Sequence, residues 1–251
     1  MNIMDNNKLI TERLISLGSE HLTRPLISKS YANNEADKYL NDLELYSHHF
    51  VLACIMDRQI SAKRAWSIPY LIGKEIGGQT FDKFEVLKKD YLVELFFSGN
   101  LHRYKNEMGA IFFKAIQKIK NEYGGVAKNI WSGNPKSGTV VRRFLEFDGV
   151  GVKIATMATN ILLRDFKIKM QDKNCIDISP DIQVSKVFKR IGFIQPNASR
   201  DELLYCAREL NPDYPGIFDF SAWEIGSTWC KKTNPDCSNC YLNDLCPKIC
   251  K

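Results

Sequence analysis

Five of the chain's eight cysteines fall in its last 22 residues, at 230, 237, 240, 246 and 250. Four of them, Cys230, Cys237, Cys240 and Cys246, are spaced C-x6-C-x2-C-x5-C. A C-x2-C pair on a tight turn grips a metal centre from two sides, and flanking cysteines at this spacing close round it. The N-terminal MNIMDNNKLITERL lacks the apolar core of a secretion signal. An intracellular chain with its thiols kept reduced is therefore expected, and the terminal cysteines read as metal ligands rather than disulfides. The spacing admits an iron–sulfur cubane or a structural zinc. Zinc ribbons pair two C-x2-C knuckles and this chain has one, which favours the cubane. Cys250 lies outside the spacing and reads as a spare thiol.

A metal staple organises only the end of the chain, and the rest reads as helix. After Met108, apolar residues recur at Ile111, Phe112, Ala115, Ile116 and Ile119, one face of a helix stopped by Tyr123-Gly124-Gly125. Val184, Val187, Phe188 and Ile191 predict another helix ending at Gly192, and Ala155, Ala158, Ile161 and Leu162 a third over 152–163. The run from Phe50 to Met56 is apolar all round, as in a buried central helix. No set of alternating segments predicts a sheet, so the expectation is all-α. Residues 165–180 are polar except for Cys175–Ile178 and read as a linker or insertion. With 44% apolar and 25% charged residues the chain is not a disordered one. No run reaches the ~18 apolar residues of a membrane helix. The net charge of +6 permits a polyanionic partner without requiring one.

The second constellation is Phe144-Leu145-Glu146-Phe147-Asp148-Gly149-Val150-Gly151-Val152-Lys153. One helix ends, Gly149 and Gly151 turn the chain, and another begins. Such a turn brings free amides at a helix N-terminus within reach of a phosphate. Residues 136–169 hold seven Lys or Arg against three acids, the most basic stretch of comparable length. Lys231 and Lys232, between the first two clustered cysteines, form a basic loop suited to phosphate contact or simply to solvent. His48-His49 at a helix start reads as packing or capping rather than a metal pair.

A glycine hairpin with G-V-G-x-K, an aspartate heading a later helix and C-x6-C-x2-C-x5-C together resemble endonuclease III and its relatives, the helix–hairpin–helix DNA glycosylases. The resemblance runs from about residue 45 to the C-terminus. It implies two helical domains flanking a DNA-binding cleft. Residues 1–44 would join the cluster domain, 45–165 would form a helical barrel with the hairpin, and 166–251 would hold the aspartate helix and the cluster. It also implies a [4Fe-4S] cluster on the four cysteines, Lys153 as nucleophile and Asp181 as its carboxylate partner. Gln59 falls where endonuclease III places a space-filling glutamine, and Arg103 in the loop that supplies its second wedge. Gln183 stands in place of a histidine near the substrate pocket.

The chemistry follows from these residue types. A base inside a duplex must be flipped out before its glycosidic bond can be reached. A carboxylate such as Asp181 stabilises the positive charge that then builds on the sugar, and a helix start favours its charge. At the same position an aspartate is also an ordinary N-cap. An amine such as Lys153 can form a Schiff base with the sugar and permit β-elimination. The expected activity is a bifunctional glycosylase and abasic-site lyase, acting as a monomer on duplex DNA with a damaged or mismatched base, inside the cell or on the nucleoid. The alternatives are a monofunctional glycosylase in which Asp181 activates water, and a non-catalytic lesion-binding protein.

Overall fold

The computed structural model describes residues 3–24 and 31–249. Among them are twelve α-helices, two 3-10 turns and no strand. The helices are α1 (Ile3–Thr23), α2 (Asn34–Leu40), α3 (Ser47–Met56), α4 (Ala62–Glu75), α5 (Phe81–Glu85), α6 (Lys89–Ser98), α7 (Lys105–Glu122), α8 (Ser137–Leu145), α9 (Val152–Arg164), α10 (Ile182–Arg190), α11 (Arg200–Leu210) and α12 (Asp219–Thr228). The 3-10 turns are Ala127–Ile130 and Pro215–Phe218. No described helix is long and apolar enough to cross a membrane.

The chain divides into two compact units. Of the described residues, one unit takes 31–135 and 142–158, and the other 3–24, 136–141 and 159–249. The division falls before α2, before and inside α8, and inside α9.

In the first unit, α3 is the axis. Every one of its ten residues is buried, as the unbroken apolar run predicts. It packs against α2, α4 and α7 and against the 3-10 turn. Phe50 meets the rings of Trp66 and Trp131, each at 5.9 Å and edge-on. Helix α7 buries Met108, Ile111, Phe112, Ala115, Ile116 and Ile119, and Gly125 N–H closes its end on Ile119 O at 3.0 Å.

In the second unit, Ile10 and Leu14 of α1 join Val184, Val187 and Phe188 of α10 and Ala222 and Ile225 of α12 in one core. Helices α10 and α12 approach closely at Gly226, where a Cβ would lie 2.7 Å from Gln183 O. Only glycine fits there. Residues 165–180 form no helix and are tied to the rest of their unit. Asp172 accepts from the Ser137 amide and hydroxyl, and Arg208 grips both Asp177 oxygens at 2.7 Å.

Candidate functional site

The hairpin turns as its glycines predict, for two different reasons. Gly149 has φ +78, and a Cβ on it would lie 2.8 Å from Ile111 Cδ1. The left-handed backbone disfavours a side chain there, and Ile111 would have to shift to admit one. Gly151 has open space around it, and its carbonyl accepts the first amides of α9, from Ile154 and Ala155, each at 3.0 Å. The amides of the first turn of such a helix have no intrahelical acceptor.

Lys153 is the second residue of α9. Its Nζ is 2.8 Å from Asp57 Oδ2, with the lysine side chain one-third exposed. Asp57 follows α3, and its N–H donates to Cys54 O at 3.1 Å. Burial pushes the Cys54 thiol well above the usual range, Asp57 pushes it further, and Lys153 pulls it back.

The two loops expected to carry Gln59 and Arg103 meet in this same unit. Gln59 has φ +56, a left-handed backbone uncommon outside glycine. Its Oε1 accepts from Tyr104 Oη at 2.6 Å. The Arg103 guanidinium lies 5.5 Å from the Tyr104 ring centre. His102 Nδ1 accepts the Tyr104 amide at 3.0 Å, and burial lowers the ring's pKa, in keeping with that unprotonated nitrogen. Arg58 pairs with Glu107 at 2.6 Å, and Arg64 donates to Leu101 O at 3.0 Å. Sequence reasoning missed Tyr104 and Asp57. For Asp57 a signal was present: a carboxylate at a helix C-terminus opposes the helix dipole.

Asp181 lies in the other unit and N-caps α10. Its Oδ1 accepts the Gln183 amide at 2.7 Å, its one hydrogen bond among the described residues apart from backbone ones. The strap leading to it is pinned at four points. Ile176 O accepts from Gly216 N at 2.7 Å and Asp177 O from Asn160 Nδ2 at 3.0 Å. Arg208 holds the Asp177 carboxylate, and Ser179 N donates to Asp219 Oδ1 at 2.7 Å. Burial raises the Asp219 pKa, and the Asp181 charge acts in the same direction. Ile182, next to Asp181, is 78% exposed. Gln183 accepts from Lys186 Nζ at 2.6 Å, and that amine also donates to Gly226 O at 2.8 Å.

Cys230, Cys237, Cys240 and Cys246 are free, half-buried thiols that line one cavity with Val187, Ile191, Ile225 and Trp229. The cavity encloses about 350 Å³ of atom-free space, part of it open to solvent. Burial raises the Cys240 and Cys246 pKa values, and the neighbouring cysteines raise both further. Four cysteine sulfurs round an apolar cavity fit a group that supplies positive charge to their thiolate forms. A single tetrahedral ion at Zn–S ~2.3 Å would draw the sulfurs to within ~3.8 Å of one another. Among the described residues no three His, Cys, Asp or Glu are grouped for one ion. Cys250 lies outside the described residues.

Arg190, another residue missed from sequence, clamps this loop. Its Nη1 donates to Cys230 Sγ at 3.3 Å and to Lys231 O at 2.7 Å, and its Nη2 to Lys232 O at 3.1 Å. The Lys231 and Lys232 side chains are exposed. The basic stretch is less available than its charge count implies. Arg142 pairs with Glu146, Arg143 donates to Ile130 O, and Lys153 pairs with Asp57. Arg164 holds Asp165 with both groups largely buried, and Lys167 donates to the carbonyls of Leu22 and Arg164.

The two helical units and the glycine hairpin share the endonuclease III-like helix–hairpin–helix glycosylase fold. Solved structures of that fold match the chain along most of its length. An endonuclease III–DNA covalent intermediate with an estranged adenine is 18% identical over 86% of this chain and 92% of its own, with a TM-score of 0.58. A thermostable thymine-DNA glycosylase is 14% identical over 97% and 96%, with a TM-score of 0.62. A non-covalent endonuclease III–DNA complex is 18% identical over 86% and 92%, with a TM-score of 0.57. No family model and no curated protein matches the sequence.

Proposed function

We propose that the chain is a DNA base-excision glycosylase with an associated abasic-site lyase activity, acting on duplex DNA that holds a damaged or mismatched base. One observation carries the reading: Lys153 stands directly behind the glycine hairpin, one-third exposed, in a fold in which endonuclease III forms a covalent intermediate with DNA. The hairpin amides at Gly149 and Gly151 hold a phosphate, and Lys231 and Lys232 add salt-dependent backbone contacts. Gln59 and Arg103, tied together through Tyr104, fill the space of the flipped base. Asp181 stabilises the sugar cation as the glycosidic bond breaks. Lys153 Nζ bonds to C1′, and Gln183 borders the base pocket.

The four cysteines are proposed to hold a [4Fe-4S] cluster. When bound, it supplies positive charge and a rigid four-point anchor. Trp229 and Arg190 shape and brace the loop round it, and the loop in turn fixes Lys231 and Lys232. Iron and acid-labile sulfide in the purified protein, lost in Cys237→Ala, would support this assignment. Zinc in their place would end it.

The function is tested by borohydride trapping on duplexes carrying an abasic site, thymine glycol, 8-oxoguanine, uracil or a T·G mismatch. An adduct formed by the wild type and absent in Lys153→Ala is expected. A second reading draws on the Lys153–Asp57 pair, which ties up the amine, and on the thymine-DNA glycosylase neighbour. In it Asp181 activates water, and base release occurs without strand scission or adduct.

A further inference from the structure

Asp57 is a costly place for a carboxylate. It sits at the C-terminus of α3, where the helix dipole opposes a negative charge, and its side chain is only 11% exposed. The thiol packed inside it, Cys54, is fully buried. The ten residues of α3 before Asp57 are all buried, so the carboxylate follows an otherwise core helix. Its partner is the Nζ of Lys153 at 2.8 Å, from a residue 96 positions away. Lys153 projects from the first turn of α9 and Asp57 caps the end of the central helix, so the pair is preorganised.

We propose that Asp57 is the acid–base partner of Lys153, taking a proton from Nζ as the amine attacks the sugar and returning it to the oxygen that leaves. The proposal rests on the reading of Lys153 as a Schiff-base nucleophile and assigns the proton path that this reading requires. On an open-chain abasic deoxyribose the inventory closes without an outside acid or base. The ammonium gives one proton to Asp57 Oδ2, which frees the nitrogen lone pair. That pair forms the N–C1′ bond while the C1′=O π electrons move to oxygen. A second nitrogen proton passes to this oxygen and gives the carbinolamine. Asp57 then returns its proton to the hydroxyl, the C1′–O bond breaks, and water departs as the nitrogen pair closes the C=N bond. Ammonium and aldehyde have become iminium and water, and the carboxylate is restored. Asp181, whose Oδ1 accepts the Gln183 amide, remains assigned to the sugar cation.

The test is the single-turnover rate of borohydride trapping on an abasic duplex, set beside affinity for a duplex carrying tetrahydrofuran, an abasic analogue without the aldehyde. Asp57→Asn keeps the size and an oxygen acceptor for Nζ but cannot shuttle the proton. It is expected to slow trapping about 100-fold while tetrahydrofuran affinity stays within about threefold of wild type. Trapping by Asp57→Asn within about threefold of wild type would overturn the proposal and leave the Lys153 reading intact. Wild-type protein that gives no Lys153-dependent adduct removes the reading and the proposal together. Asp57→Ala offers an independent readout. Added acetate should restore its trapping rate in proportion to concentration, where chloride at equal ionic strength does not. A flat response to acetate overturns the proton role even if the substitution also loosens the loop.

Discussion

Acidification from pH 7.5 to 5 should destabilise the α3 unit through His48 and His49. Both rings are buried, and both reach the same carbonyl, Gln79 O, at 2.9 and 3.1 Å. Burial lowers the His48 pKa from 6.5 to about 4, and burial together with His48 lowers His49 to about 3. In the folded state both stay neutral at pH 5, while in the unfolded chain both are mostly protonated. The unfolded state therefore binds more protons below pH ~6.5, and stability falls as pH falls through that value. Above pH ~6.5 the contribution is complete, and below about 3 it changes no further. At pH 5 each ring is about 1.5 pH units below its unfolded pKa, so each costs about 2 kcal/mol and the pair about 4. Burial also lowers the His102 pKa, so it adds in the same direction. Urea unfolding at pH 7.5, 6.5, 5.75 and 5 measures the loss directly. His49→Leu, which removes one titrating ring, should roughly halve it. A midpoint that stays constant over this range would refute the reasoning. So would a His48→Leu/His49→Leu double variant that keeps the wild-type slope.

Gly149→Ala should cost about 1–2 kcal/mol because of its left-handed backbone, whereas Gly151→Ala should cost under about 0.5 in the same thermal unfolding series. Equal losses at the two positions would contradict the distinction drawn between them. Arg190→Met removes the clamp on residues 230–232, and the iron of the proposed cluster should then pass to a chelator about 10-fold faster than from wild type. An unchanged release rate would mean that the cysteine loop needs no brace. Lys231→Ala and Lys232→Ala should each lower the slope of log affinity for DNA against log salt by about 0.9, read by fluorescence anisotropy. A slope left at the wild-type value would place both side chains in solvent only.

Much of the fold is legible in the sequence because helix formation is a local matter. The apolar run at 50–56, the three-and-four spacing after Met108 and the glycines at 124, 125 and 192 each identify a helix or its end. The hairpin is legible for the same reason, since Gly149 answers to its own φ. The cysteine spacing locates its loop because a short segment cannot spread four thiols far apart. Charge is read less well. A count over 136–169 treats every cation alike, yet Arg143, Arg164 and Lys167 are engaged by carbonyls and a buried carboxylate. Polarity misleads similarly over 165–180, where Asp172 and Asp177 are polar because they anchor a strap.

The sequence by itself determined the all-helical class, the glycine turn before Lys153, the cap position of Asp181 and the grouping of Cys230, Cys237, Cys240 and Cys246. Each depends on residues close together along the chain, where backbone geometry dictates who is near whom. Only the tertiary structure decided that Lys153 meets Asp57 across 96 residues, that Tyr104 joins Gln59 across 45, and that Arg190 reaches the carbonyls 41 and 42 residues ahead. Hydrogen bonds and ion pairs act over about 3 Å, so partners distant in sequence are chosen by the packing of whole helices. Periodicity tells which face of a helix is buried and leaves open which helix it is buried against.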